Sequence, residues 1–204
     1  MSLSDAETMG GQSASETRHR LANVFQLLTT LTRMRIQRSK DDEARRQLSW
    51  MLDATSALAL LNRRTRGPQP ADFSEFLRDM APQWQKRCAD RPIEIQLDLG
   101  PVVVPERQEA ALALIAHELV VNAIAHAFPD GGGTIWVSLG RGADETAVLS
   151  VSDNGCGYDP QGVDRTRLGL WLIAGLASQV QGVLTTTCAQ GVEARLVFPL
   201  VPGP

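Results

Sequence analysis

Glu118, Asn122 and His126 follow one another at four-residue spacing within HELVVNAIAHAF, residues 117 to 128. Four residues is just over one helical turn, so on a helix the three side chains form a row on one face. A carboxylate in that row can accept a proton or orient water, and the amide oxygen beside it can ligate a hard cation. Together they suit a site for Mg2+ and a triphosphate. The same row turned to water would be an ordinary helix end, so it does not decide the matter alone. A second element is SVSDNGCGYD, residues 150 to 159, in which a strand ends on Asp153 and runs into Gly155 and Gly157. Glycines let the backbone turn sharply and approach a flat ligand, and a fixed carboxylate can accept a hydrogen bond from an exocyclic amine such as that of adenine. By itself D-N-G is only a turn. A third element, RTRLGLWLI, residues 165 to 173, puts Gly169 in the first turn of a helix whose N-terminal amides can receive phosphate.

Positioning these residues requires a sheet and helices on one side of it. Ser74 to Cys88 reads as a helix, and IEIQLDL, residues 93 to 99, alternates apolar and polar like a half-buried strand. A long helix follows from about Glu106 to Phe128. GGGTIWVSLGR and TAVLSVSD are strands, a helix covers about Arg167 to Gln181, and GVLTTT and EARLVFP are two closing strands. The pattern is an antiparallel or mixed sheet with helices on one face, an α+β sandwich.

Ahead of it lies a region of different character. Residues 1 to 15 are small and polar and read as a flexible tail. From Glu16, apolar side chains fall at Leu21, Val24, Phe25, Leu28, Leu31 and Met34, and a second series runs through Leu48, Met51, Leu52, Thr55, Leu58 and Leu61. Both have the three-four spacing of one helical face. SKDDE between them supplies a turn and an acidic helix start, so residues 16 to 66 read as an antiparallel hairpin. Two helices cannot enclose a core, and pairing two copies into a four-helix bundle would bury both apolar faces; a homodimer is expected. Residues 67 to 72 read as the linker, because Gly67, Pro68 and Pro70 break the helix, and residues 73 to 204 as the second domain.

Composition excludes several classes. The 204 residues are 43% apolar and 21% charged, which is a folded globular chain rather than a disordered one. Cys88, Cys156 and Cys188 lack metal-type spacing, and an odd, scattered set predicts reduced thiols in the cytoplasm. The apolar stretch from Ala110 to Phe128 is broken by His117, Glu118, Asn122 and His126, which argues against membrane insertion, and no signal peptide is seen before it. The net charge is -3, yet residues 16 to 66 hold 11 Lys or Arg against 5 Asp or Glu. Arg33, Arg35, Arg38 and Lys40 are expected to be a solvated helix face rather than a nucleic-acid surface, with an acidic protein partner as the alternative.

In this order, HELVVNAIAHAF, SDNGCGYD and LGLWLI resemble the N box and the two glycine boxes of the GHKL ATPase superfamily, whose nucleotide domain is the Bergerat fold. The resemblance runs from about Pro70 to Pro199, and no Walker P-loop occurs in the chain. ETRHRLANVFQLL, residues 16 to 28, resembles the phosphoacceptor box of histidine kinases of the HWE-like group and its relatives, in which an H-R pair is followed by an Asn. The resemblance implies ATP and Mg2+ as cofactors, His19 as phosphoacceptor with Glu16, Arg20 and Asn23 as its neighbours, and Glu118 as a catalytic carboxylate. It implies Asn122, His126, Asp153, Gly155, Gly157, Gly169 and Leu170 around the nucleotide, with Asn122 also meeting the metal. Many histidine kinases have a Lys three residues after the N-box Asn, where this chain has Ala125.

The expected function is therefore that of a histidine kinase core in a two-component system, which passes phosphate to a response-regulator receiver domain. No sensor domain is seen before His19, so a separate sensor protein is a candidate source of its signal, and a fragment of a longer kinase would read the same. Two other readings stay open at this point: an ATP-independent phosphorelay carrier on a kinase-like fold, and a serine protein kinase of the anti-sigma type.

Overall fold

A computed structural model describes residues 3–64, 72–157 and 168–200 of the chain; the side chains of residues 3–15, 18, 19, 64, 168 and 170 lie outside that description. The chain divides into two compact units, Met1–Arg66 and Gly67–Pro204.

The first unit is a pair of packed helices, α1 (Leu3–Arg38) and α2 (Asp42–Arg64). The turn between them works as the sequence predicts. Asp41 Oδ1 accepts from Glu43 N at 2.8 Å and Ala44 N at 3.2 Å, satisfying two of the amides that open α2. Ion pairs Asp42–Arg45 and Glu43–Arg46 follow in its first turns. Helix α1 starts at Leu3, so the expected tail over residues 1 to 15 is corrected: residues 3 to 15 continue the helix, which no proline interrupts. Leu21, Val24, Leu28, Leu31 and Met34 on α1 and Met51 on α2 are each 43% exposed or more, a row of apolar side chains that one copy of the hairpin does not cover.

The second unit is an α+β sandwich. Its elements are α3 (Phe73–Arg87), β1 (Ile93–Leu99), α4 (Glu106–His126), β2 (Gly133–Arg141), β3 (Thr146–Asp153), α5 (Leu168–Gln179), β4 (Val183–Ala189) and β5 (Gly191–Pro199). The five strands lie in the order β1-β2-β3-β5-β4. β1 runs parallel to β2, and the other three pairings are antiparallel, so the sheet is mixed. Alternation along the strands sends one set of side chains to the helices: Ile135, Val137 and Leu139 from β2, Ala147, Leu149 and Val151 from β3, and Ala194, Leu196 and Phe198 from β5 are all buried. Helix α4 packs over β2 and β3 between α3 and α5. That position explains why it is apolar on nearly every side. It is the one helix, among the described residues, long and apolar enough to cross a membrane, and more than half of it is buried within the unit.

Asp72 begins this unit. Its Oδ1 accepts from Ser74 N and from Val102 N, both at 2.9 Å, so one carboxylate caps α3 and ties it to the segment before α4. Phe73 N–H donates to Val102 O beside it. Burial alone would raise the Asp72 carboxyl, but the two backbone donors, the Ser74 hydroxyl and the Arg78 charge together hold it below its ordinary value. A lowered folded-state value means a stabilisation that is present above the unfolded value near pH 4 and is lost as the pH falls through the folded value. Asp72→Ala should cost the unit about 1–2 kcal/mol at pH 7, as for other lost caps. Urea unfolding at pH 7 and below pH 3 checks this, and the gap between wild type and variant should close at the lower pH.

Candidate functional site

The end of β3 delivers Asp153 to a buried position, 8% exposed. Its Oδ1 accepts two backbone hydrogen bonds, from Gly155 N at 2.9 Å and from Val192 N at 3.3 Å. Burial pushes the carboxyl above its ordinary value, and the two N–H groups oppose that rise. Asn154, next in the chain, is also tied down: its Oδ1 accepts from Thr134 N at 2.8 Å, and its own N–H donates to Thr134 O.

The glycines nearby have separate tasks. A Cβ on Gly155 would come within 2.2 Å of Ala127 O, so this residue allows the loop to lie against the end of α4, and Cys156 N then donates to the same carbonyl at 2.9 Å. Gly157 has φ +67°, a left-handed conformation that side chains other than glycine adopt at a cost. Gly191, at the tip of the β4–β5 hairpin, has φ +96°, and a Cβ there would meet Asp153 O at 1.9 Å. The hairpin tip is therefore pressed against Asp153, which is how Val192 N reaches its carboxylate.

Helix α4 faces two ways. His117 is buried against α3, where Trp84 Nε1 donates to its Nδ1 at 3.1 Å, so that nitrogen carries no proton and the ring is part of the core. Glu118, one residue and about 100° further round, is 2% exposed and faces α5: a Cβ on Gly169 would be 3.1 Å from its Oε2. Asn122 and His126 continue the row toward solvent.

Between α4, α5 and the inner face of the sheet lies a cleft of about 260 Å³. Asn122, His126, Asp153, Gly157 and Gly169 all line it. Gly155 lies behind the wall, and Glu118 adjoins it through Gly169. Leu170 is on α5 with its side chain outside the description, as is that of His19 on α1. Around His19, Glu16 and Arg20 are exposed and paired at 3.9 Å, and Asn23 is exposed. The rest of the lining is mostly apolar: Leu119, Ala123 and Ala127 from α4, Ile173 from α5, and Val151, Ala194, Val192, Leu184 and Thr186 from the sheet. Nothing local in the sequence marks these residues, since each is an ordinary residue type for a buried helix face or strand. Gly191, which is outside the lining, does carry a local signal: it is a glycine closing a short turn between two alternating strands.

Residues 107–202 match the family model described as histidine kinase-, DNA gyrase B-, and HSP90-like ATPase. The sensor histidine kinase PdtaS of Mycobacterium tuberculosis is 30% identical over 173 residues, 80% of this chain and 34% of PdtaS. The chain thus spans about a third of the length of that relative. Among solved structures, the histidine kinase domain of the blue-light activated kinase from Erythrobacter litoralis EL346 aligns over 86% of this chain and 96% of its own, with TM-score 0.70 and 20% identity. Full-length ShkA in complex with AMPPNP aligns over 94% of this chain and 46% of its own, with TM-score 0.59 and 17% identity. Across residues 107–202 the second unit is accordingly similar to the ATPase domain shared by histidine kinases, DNA gyrase B and HSP90.

Proposed function

We propose that this chain is the core of a histidine protein kinase in a two-component system, moving the γ-phosphoryl group of Mg-ATP to His19 and then to an aspartate of a response-regulator receiver domain. The observation that carries the reading is the single cleft on which Asn122, His126, Asp153, Gly157 and Gly169 converge, in an ATPase domain that follows a helical hairpin bearing His19.

In this reading the base enters the apolar part of the cleft and its exocyclic amine donates to Asp153. Both backbone bonds fall on Oδ1, which leaves Oδ2 to the ligand. The phosphates extend toward Asn122 and the first turn of α5, where N-terminal amides favour negative charge. No Lys or Arg is among the described residues that line the cleft. Among the described residues no cluster of three His, Cys, Asp or Glu could hold a metal alone. Mg2+ is commonly held by one or two protein ligands together with phosphate oxygens and water, so the Asn122 amide oxygen fits. Bound there, Mg2+ would neutralise charge on the transferring phosphate.

In its neutral form His19 attacks the γ-phosphorus through the unprotonated ring nitrogen. The N–P bond forms as the bond to the β–γ bridging oxygen breaks, and ADP leaves with that electron pair. Glu16 accepts the imidazole proton, Asn23 orients the ring, Arg20 meets phosphate oxygens, and Glu118 is the catalytic carboxylate on the Mg-ATP face. In the second transfer a receiver carboxylate oxygen attacks phosphorus and the N–P bond breaks, returning neutral His19.

Incubation with γ-labelled ATP and Mg2+ should label the wild type, and the label should survive alkali and be lost in acid. His19→Ala should bind Mg-ATP and take no label. Asn122→Ala should not label itself, yet should accept phosphate from a phosphorylated receiver domain because its His19 is intact. No ATP binding in the wild type, with His19-dependent exchange retained, would make the chain a phosphorelay carrier instead.

The exposed apolar row on the hairpin is covered in this reading by a second copy, giving a four-helix bundle. Light scattering at micromolar concentration should return twice the chain mass. Leu28→Asp should shift the chain toward monomer, since a buried unpaired charge costs several kcal/mol. A dimer unchanged by deletion of residues 1 to 66 would rule out the bundle.

A further inference from the structure

The inner face of the sheet forms the floor of the cleft, and the register shows which residues share it. Val151 pairs with Ala194, and Ala194 pairs with Thr186, so these three lie side by side across β3, β5 and β4. Asp153 is two residues along β3 from Val151 and projects to the same face. Four side chains lining the cleft can make directional polar contacts: Asn122 and His126 on α4, Asp153 and Thr186 on the sheet. Thr186 is the one the proposed mechanism leaves without a task.

Its hydroxyl makes no hydrogen bond within the described residues, whereas that of Thr185, on the opposite face of the strand, contacts Arg195 O at 3.3 Å. Between Asp153 and Thr186 the floor is Val151, Val192 and Ala194, all apolar, with the small Ala194 keeping its centre low. Two strand spacings of about 4.8 Å and two rises of about 3.4 Å put Asp153 and Thr186 about 12 Å apart. One flat base can bridge that span with a hydrogen bond at each end, once both side chains lean inward.

We infer that Thr186 is a specificity-determining residue for the nucleobase, its hydroxyl donating to the ring nitrogen on the edge opposite the amine held by Asp153. In adenine that nitrogen is N3, which lies directly across the six-membered ring from the amino-bearing carbon. The inference rests on the proposal that ATP occupies this cleft. It adds a second polar point to a floor that otherwise holds the base by one edge, and two points fix the rotation of the ring in its plane.

Titration of the full chain with ATP and with 3-deaza-ATP, in which N3 is replaced by C–H, tests it. Thr186→Val keeps the shape and the β-branch and removes the hydroxyl. ATP should bind this variant about five- to tenfold more weakly than the wild type, as for one lost hydrogen bond. 3-Deaza-ATP should bind wild type and Thr186→Val equally, and Thr186→Ser should recover most of the ATP affinity. Wild-type ATP affinity in Thr186→Val, or an undiminished preference of that variant for ATP over 3-deaza-ATP, would overturn the inference while leaving the cleft as the ATP site. Absence of ATP binding to the wild type would instead remove the reading on which it rests.

Discussion

A carboxylate held nearly out of water must be given hydrogen-bond donors, and much of the second unit is arranged to give them to Asp153. The donors are backbone N–H groups, Gly155 N and Val192 N. Backbone donors come from particular stretches of chain held in particular places. The loop after β3 must turn at once, and the β4–β5 hairpin must bring its tip back across the end of β3. Gly191 makes that return possible, since a side chain at that position would collide with Asp153 O. β5 lying between β3 and β4 follows the same requirement, because β5 starts at the residue whose neighbour supplies the second donor.

Helix α4 is the other half of the arrangement, and its polar residues divide by direction. Toward α3 it presents His117 to Trp84, a buried pair that fixes how the two helices pack. Toward α5 it presents Glu118, with Asn122 and His126 further along the same row. Arg91 reaches the carbonyl of Ile124 near the C-terminal end of the helix at 2.6 Å, and Gly155 and Cys156 close on Ala127 at the cap. The row is thus held at both of its ends by packing that involves no ligand. That is the condition for a site to be formed before its substrate arrives.

What the sequence made legible was whatever is local in it. The four-residue row on α4, Asp153 with its glycines, the alternating strands and the hairpin of α1 and α2 all depend on neighbours within a few residues. The floor of the cleft was not legible. Val151, Ala194 and Thr186 come from three strands, and their adjacency follows from strand order and register, which alternation alone does not fix. The parallel pairing of β1 with β2 is non-local in the same way. His117 sits within the most informative motif yet belongs to the core, because a one-residue step on a helix turns a side chain by about 100°. The start of α1 is not legible because small polar residues weaken a helix pattern without a proline to end it.

The central claim is that the Asp153 carboxylate reads the amine of adenine, and calorimetric titration of wild type and Asp153→Asn with ATP and GTP in the presence of Mg2+ tests it most directly. The wild type should bind ATP and bind GTP poorly, since guanine has a carbonyl where adenine has its amine. Asp153→Asn should lose about 1.5–3 kcal/mol of ATP affinity, the value of a hydrogen bond to a charged group. Equal binding of ATP and GTP by the wild type, or ATP affinity unchanged in Asp153→Asn, would contradict the account.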